Sequence, residues 1–462
     1  MRRIFERLFR RVKLAAALAA CAATLRAEPR RAQDAEPAKR PNVVLVVIDT
    51  LRPDHLELHG YGRSTAPFLN ELGARAAVFD RALSASSWTA PATASVMTGL
   101  YPTSHGVTDG MMAHEQAVEN AKKRHPDRPV KLELNAIPQR VATIAELFRE
   151  AGYRTIGRSS NVNVDEVMGY TQGFDGFENR SKAHADELTD GLIESAGSLT
   201  RAGPVFLYLH LNDVHMPYER RAPAYAPPVD SEREDVARYD SEIRAVDDQL
   251  RKLHDALGWA HDTVLLICSD HGEEFMEHGQ KGHRFSLHYE LNRVLFLVAG
   301  PGIAPRRVEV GASLVDVLPT LVELAGLPAS DGREGVSLAP LLREPADAAP
   351  PAKLLDRPLF AHRGERRRKE HLWGVQRGNL RMIALGNQSP ALYDFVADPG
   401  ETKDLAALVE GDPALRRRYD DLLKALDSFR SRGIPKPEAT GEVILDDAKL
   451  EELRALGYVD DK

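Results

Sequence analysis

Three unbroken apolar runs, each leading into acidic or imidazole residues, restrict this chain more than any other feature. Asn42–Ile48 (NVVLVVI) leads into Asp49. Val205–Leu211 (VFLYLHL) leads into Asn212, Asp213, Val214 and His215. Thr263–Cys268 (TVLLIC) leads into Ser269, Asp270 and His271. Continuous β-branched runs of this length suit strands buried on both faces, the usual condition of a parallel sheet. A fourth run, Val294–Ala299 (VLFLVA), belongs to the same set, and helical patterns lie between the runs at Ala66–Ala76, Val141–Ala151 and Tyr239–Leu257. Strands alternating with helices define an α/β fold with a doubly wound, mostly parallel central sheet.

In such a sheet the carboxyl ends of the strands share one edge, where open α/β folds hold their ligands. A single Asp after a strand is ordinarily a turn or a helix cap. Three such ends carrying acids and imidazoles instead make a site for a divalent cation, whether a hard oxygen-bound ion or a zinc-like one. The segment Ser86–Gly99 (SSWTAPATASVMTG) adds a helix, with Pro91 suited to its first turn and Gly99 to its C-terminal stop. Thr89 stands at the helix N-terminus, where free amides favour an anion. Alone it is an N-cap. Beside a bound cation, which lowers its pKa, the hydroxyl becomes a candidate nucleophile.

The length of 462 residues accommodates one large α/β domain, residues 41–350, and a smaller α+β C-terminal subdomain, residues 351–462. The stretch 108–138 is polar and irregular and reads as an inserted surface loop or lid. A formal net charge of −7 argues against nucleic acid as a partner. The one basic cluster, Arg363–Lys369 (RGERRRK), reads as a solvated loop. At the start, an arginine-rich segment precedes the apolar run Leu14–Ala20 and Cys21. That run is too short to span a bilayer, so residues 1–27 read as an export signal to the periplasm or cell envelope. Leu18-Ala19-Ala20-Cys21 has the form of a lipobox, so lipid anchoring at Cys21 and plain cleavage near Ala27 both stand. Residues 28–40 read as a tether. Cys268 is the other cysteine, and no intramolecular disulfide is expected.

The motifs from Asn42 to Val107 resemble the N-terminal signature of the sulfatase family of the alkaline-phosphatase superfamily. They include Asp49-Thr50-Leu51-Arg52-Pro53-Asp54, Thr65-Ala66-Pro67, Thr98-Gly99-Leu100-Tyr101-Pro102 and His105-Gly106. Later matches are Asp213-Val214-His215, Ser269-Asp270-His271-Gly272-Glu273, Asp316 to Thr320, and Leu392-Tyr393-Asp394 with Asp398-Pro399. The resemblance implies that Asp49, Asp270, His271 and Thr89 hold one divalent ion (Ca2+, Mg2+, Mn2+ or Zn2+). Asp213 is a further candidate ligand, and a second ion is left open. It implies catalytic roles for Thr89, His215 and His283. It puts Lys281, Asn161 and His105 on the substrate side, with Asn163 a weaker companion of Asn161.

The chain departs from the family pattern in ways that bear on its reaction. Formylglycine sulfatases carry Cys or Ser at the position of Thr89, then Pro, then Arg. Here Pro91 is kept and Thr93 stands at the Arg position. Threonine cannot be oxidised to the same aldehyde, so no formylglycine is expected. Thr50 also replaces the second of the family's paired acids. Relatives with a threonine nucleophile include nucleotide phosphodiesterases and envelope phosphoglycerol or phosphoethanolamine transferases. The resemblance therefore implies hydrolysis or transfer of phosphate esters, diesters in the sense of those relatives, through a covalent Thr89 intermediate. The substrate is a small-molecule, lipid or glycan ester. Sulfate-ester hydrolysis on the same scaffold stays open, as does a catalytically silent envelope lipoprotein.

Overall fold

Successive residues of the strand Asn42–Ile48 bury on opposite sides of one sheet. Val43, Leu45 and Val47 enter one apolar core, and Val44, Val46 and Ile48 enter the other. The computed structural model describes residues 40–451 apart from 112–114, 126–127, 200–202, 226–232, 260, 344–348, 365–370, 435–439 and 447–449. The expected export signal, Cys21, nearly all of the tether and most of the basic stretch lie outside the described residues.

The central strand pairs in parallel with Val205–Leu211 on one side and Thr263–Ser269 on the other. Arg154–Ser159 and then Gly176–Asn179 extend the sheet beyond Val205–Leu211, again in parallel. Beyond Thr263–Ser269 come Phe296–Ala299, Ala77–Phe79 and Arg306–Val308, completing eight strands. The fourth apolar run differs from expectation, because Phe296–Ala299 lies antiparallel to both neighbours. No long crossover helix separates it from Thr263–Ser269; the four-residue helix Tyr289–Asn292 is too short to carry the chain back to a parallel start.

Both faces are covered. Helices Pro67–Gly73 and Glu234–Leu257 supply Phe68, Leu69, Leu72, Ile243, Val246 and Leu250 to one core. Helices Thr89–Thr98, Ile144–Glu150 and Val317–Leu324 supply Val96, Met97, Ile144, Phe148, Leu318 and Leu321 to the other. Each such large side chain contributes about 1.5–3 kcal/mol when removed from water. Among the described residues, no helix is long and apolar enough to cross a membrane.

The stretch 108–138 is more ordered in structure than its polarity indicates. It contains the helix Glu115–Arg124 and the strand Val130–Asn135, whose Val130, Leu132 and Leu134 join the larger core. This strand pairs antiparallel with Thr440–Leu445, over three hundred residues away in sequence. The region after residue 351 builds a four-stranded antiparallel sheet, Leu359–Arg363, Leu372–Arg377, Leu380–Leu385 and Ala391–Asp394. Helix Pro413–Ser431, capped by Asp412, packs Leu422, Leu426 and Phe429 against Trp373 and Val375 of that sheet. From Pro41 onward the chain forms one contact unit, so this sheet is a layer of it and not a detached module.

Candidate active site

Asp49, Asp270 and His271 follow the ends of two adjacent parallel strands, and all three are fully buried. The Asp49 amide still donates to the Leu211 carbonyl at 2.9 Å, so its side chain leaves the sheet at a fixed angle. Immediately after it, Thr50 takes a left-handed backbone with φ of 55°. That conformation costs a β-branched residue about 1–3 kcal/mol and is retained only where the surroundings fix it. The fixing contacts are on either side. The Thr50 amide donates to Asp270 Oδ1 at 3.2 Å, and its hydroxyl donates to the Val214 carbonyl at 2.8 Å. Thr50 thus stands at the family's second acid position but acts through its backbone, orienting Asp270.

Thr89 is the first residue of helix Thr89–Thr98, and no side chain caps that helix. Its Oγ1 lies 3.5 Å from Asp49 Oδ2 and 3.3 Å from His271 Nε2. The His271 Nδ1 hydrogen is donated to the Gly272 carbonyl at 2.9 Å, so Nε2 presents a lone pair. Burial, with the nearby His283, pushes the His271 pKa down to about 3, which keeps the ring neutral. Nε2 sits 3.5 Å from both Asp49 Oδ1 and Asp270 Oδ2, and neither of those buried oxygens has a donor. Three acceptors therefore face one another with only the Thr89 hydroxyl hydrogen among them. A divalent cation is what this set lacks, and two carboxylates, an imidazole and a hydroxyl are donors such an ion accepts.

Electrostatics point the same way. Burial alone would raise the Asp49 pKa, but the hydrogen bond from His210 holds it well below the carboxylate range. Burial and the charge of Asp49 push Asp270 well above that range. Two buried carboxylates this close cannot both ionise comfortably without a cation between them.

The side chains behind the cradle were only partly foreseeable. Asn161, expected on the substrate side, donates its amide to Asp49 Oδ2 at 2.5 Å and to Asn212 Oδ1 at 2.8 Å. Asn163 accepts from the Met111 amide at 3.0 Å. His210 is the residue that sequence reasoning missed. It lies inside the strand Val205–Leu211 with Nε2 3.2 Å from Asp49 Oδ2, and it joins Asp49 and Asp270 in a cluster whose ligand atoms lie within 4.8 Å. Because an ionised Asp49 can only accept, His210 Nε2 carries the hydrogen, and Nδ1 accepts from the Tyr208 hydroxyl at 2.9 Å. The available signal was one imidazole in an otherwise apolar run.

His215 and His283 lie together beside the cradle, with ring centroids 4.9 Å apart, and His283 is 4.6 Å from the His271 ring. His215 donates from Nδ1 to the Met216 carbonyl, and burial with the nearby His283 lowers its pKa. His283 Nδ1 is 2.9 Å from Glu273 Oε1. Burial would raise Glu273, but His283, hydrogen-bonded to it, brings it below its ordinary value.

Three expected residues lie elsewhere. Asp213 turns aside, accepting from the Ala185 amide at 3.1 Å and lying 3.3 Å from His184 Nδ1, so the structure does not bring it to the cradle. Lys281 is half-exposed and pairs with Asp235 at 3.0 Å. His105 is buried against helix Thr89–Thr98, with its ring nitrogens engaged by Ser95 Oγ and the Val107 amide. A pocket of about 100 Å³ adjoins His215 and Asn212, lined also by Lys182, His184, Asp213 and Glu242.

A cation cradle at one edge of a doubly wound sheet, with a helix-terminal hydroxyl facing it, defines an ester hydrolase of the alkaline-phosphatase type. The sulfatase family model matches residues 41–327, and the chain belongs to that family. It is 22% identical to a Delta 4,5-hexuronate-2-O-sulfatase of Bacteroides thetaiotaomicron, over 86% of this chain and 90% of that protein. A solved structure in complex with its substrate D-glucosamine-2-N,6-O-disulfate superposes with a TM-score of 0.64 at 17% identity, covering 85% of this chain and 98% of that one. The phosphonate monoester hydrolase of Agrobacterium radiobacter gives 0.63 at 19% identity, covering 88% and 100%.

This kinship corrects two expectations. The exclusion of formylglycine is overturned, since sulfatase relatives normally use a formylglycine together with a metal ion. Thr89, with Thr93 and Thr50, departs from the family pattern, but these departures carry no exclusion of the family's cofactor. The phosphate-diester reading also gives way, because relatives named as sulfatases favour the sulfate-ester alternative.

Proposed function

We propose that this enzyme hydrolyses sulfate esters of hydroxyl-rich, glycan-like alcohols at the cradle of Asp49, Thr89, Asp270 and His271. The observation that carries this reading is the pair of buried, donorless oxygens, Asp49 Oδ1 and Asp270 Oδ2, facing His271 Nε2 beside the residue-89 side chain. A divalent cation held by these residues supplies Lewis acidity toward the non-bridging oxygens of the ester. Neutral His271 and ionised Asp49 present lone pairs, with Asn161 and His210 fixing the carboxylate from behind. The N-terminus of helix Thr89–Thr98 directs partial positive charge at the same point.

The leaving side belongs to His215 and His283. Glu273 Oε1, 2.9 Å from His283 Nδ1, orients that ring to pass a proton to the departing alcohol oxygen. His215, anchored by Met216, lies beside it with ring centroids 4.9 Å apart. The Thr89 oxygen bonds to sulfur as the ester S–O bond breaks, its proton passing by way of His283 to the departing alcohol; water then takes over the sulfuryl group, one of its protons returning to Thr89 and the other leaving with hydrogensulfate. The pocket beside His215 mixes Lys182 and His184 with Asp213 and Glu242, a balance of donors and acceptors that suits an alcohol with several hydroxyls. Relatives named for hexuronate and ulvan sulfates support that class of substrate.

The test is a panel of sulfated glycan fragments, aryl sulfates and phosphodiesters, each supplied with Ca2+, Mg2+, Mn2+ or Zn2+. Inorganic sulfate release, fastest from glycan sulfates, is expected. Turnover of phosphodiesters with no sulfate release from any ester would overturn the reading.

A further inference from the structure

A second group of acids and imidazole stands apart from the cradle, and nothing in the proposed reaction uses it. Glu274 lies on the short strand Glu274–Phe275, His278 in the turn that follows, and Glu290 on the helix Tyr289–Asn292. One ligand atom from each lies within 4.8 Å of the others. Glu274 is fully buried. Its Oε1 is taken by the amides of His278 at 2.9 Å and Gln280 at 2.8 Å, while its Oε2 is buried with no donor. That is the mark carried by Asp49 Oδ1 and Asp270 Oδ2 in the cradle. His278 Nδ1 lies 2.8 Å from Glu290 Oε1, and the His278 ring stacks on His288 at 3.6 Å.

Charge makes the case sharper. Two largely buried carboxylates share one imidazole, and Glu274 Oε2 is left with no donor. The neighbouring acid Glu401 already has its own partners in His288 at 3.0 Å and Arg381 at 3.6 Å. A buried charge without a counterion is costly, and a cation removes that cost. Two carboxylates with one imidazole suit a divalent transition-metal ion better than an all-oxygen ion such as Mg2+.

We propose that Glu274, His278 and Glu290 bind a second divalent cation of the Zn2+ or Mn2+ kind, separate from the cradle ion. The ion fastens the hairpin Glu274–Gly282 to the helix Tyr289–Asn292. It therefore fixes the segment that carries Lys281 and leads into His283, in the manner of a structural site. This assignment stands independently of which ester the cradle cleaves.

The test is metal content of the purified full chain after equilibration with Zn2+ or Mn2+. Asp270→Ala is expected to lose the cradle ion and keep the other. Glu274→Gln retains the Oε1 acceptor for both amides, so the turn is expected to fold, and adding it to Asp270→Ala should remove the remaining ion. Visible absorption of the Co2+-loaded Asp270→Ala chain gives a second readout, expected to change when His278→Gln is added. An Asp270→Ala chain that binds none of the three metals would overturn the proposal. So would a retained ion indifferent to both Glu274→Gln and His278→Gln.

Discussion

Asn161 and Asp49 are joined by a 2.5 Å hydrogen bond from the asparagine amide to carboxylate Oδ2, which leaves Oδ1 facing the cation cradle. Asn161 sits two residues after Ser159, the last residue of its strand, and its own Oδ1 accepts from the Asn163 amide at 2.7 Å, so the side chain is locked from both ends. Loss of a partner that orients a metal ligand costs about 10–100-fold in metal affinity or activity. Asn161→Ala is expected to weaken Mn2+ or Zn2+ binding at the cradle by about that factor, measured by calorimetric titration.

His210 acts on the same carboxylate from the neighbouring strand Val205–Leu211. His210→Leu removes the Nε2 donor to Asp49 and leaves Tyr208 without its partner. A loss of about 10-fold or more in metal affinity is expected. His210→Gln, which keeps a donor, should recover part of it. Equal affinity in all three proteins would remove His210 from the site.

Much of this arrangement was legible in the sequence, for reasons the structure makes plain. A strand buried on both faces must be apolar throughout, so Asn42–Ile48 and Thr263–Ser269 announce themselves, and the polar residues that end them mark the ligand edge. His210 was hidden because its run is otherwise apolar, and only strand alternation places it beside Tyr208 on the face that meets Asp49. Asp213 shows the converse. It follows the same strand, but the chain turns after Asn212 and directs its carboxylate to the Ala185 amide and His184. The strand Val130–Asn135 alternates as a half-buried strand should, yet its polar surroundings and a partner at Thr440–Leu445 put the pairing beyond local pattern. Residue 89 is a different case, since departures from a motif at Thr89 and Thr93 do not carry a conclusion about a family's cofactor.

That distant pairing has a stability consequence. Leu134 is fully buried in the larger core, on the strand that meets Thr440–Leu445. Leu134→Ala is expected to cost about 2–5 kcal/mol in chemical denaturation. A loss below 1 kcal/mol, on the order of a surface change, would show that this strand is not part of the folded core.

Asp247 supplies a pH-dependent term away from the site. Its carboxylate accepts from the Phe68 and Leu69 amides at the start of helix Pro67–Gly73, and burial raises its pKa to about 7. An acid whose folded pKa lies above its unfolded value of 3.8 adds stability below that value and loses it as pH climbs through about 7. Wild-type Tm relative to Asp247→Asn should therefore fall between about pH 4 and pH 8. A constant or rising difference would contradict this assignment.

The account rests on the residue-89 side chain and the cation cradle acting together on a sulfate ester. The most direct measurement is inorganic sulfate released from a sulfated uronate disaccharide by metal-loaded wild type, Thr89→Ala and Asp270→Ala. Thr89→Ala should keep the fold and the metal yet lose roughly 10⁴–10⁶ in rate, as when a nucleophile is deleted. Asp270→Ala should lose turnover together with the cradle ion. Sulfate release by Thr89→Ala at the wild-type rate would contradict the account.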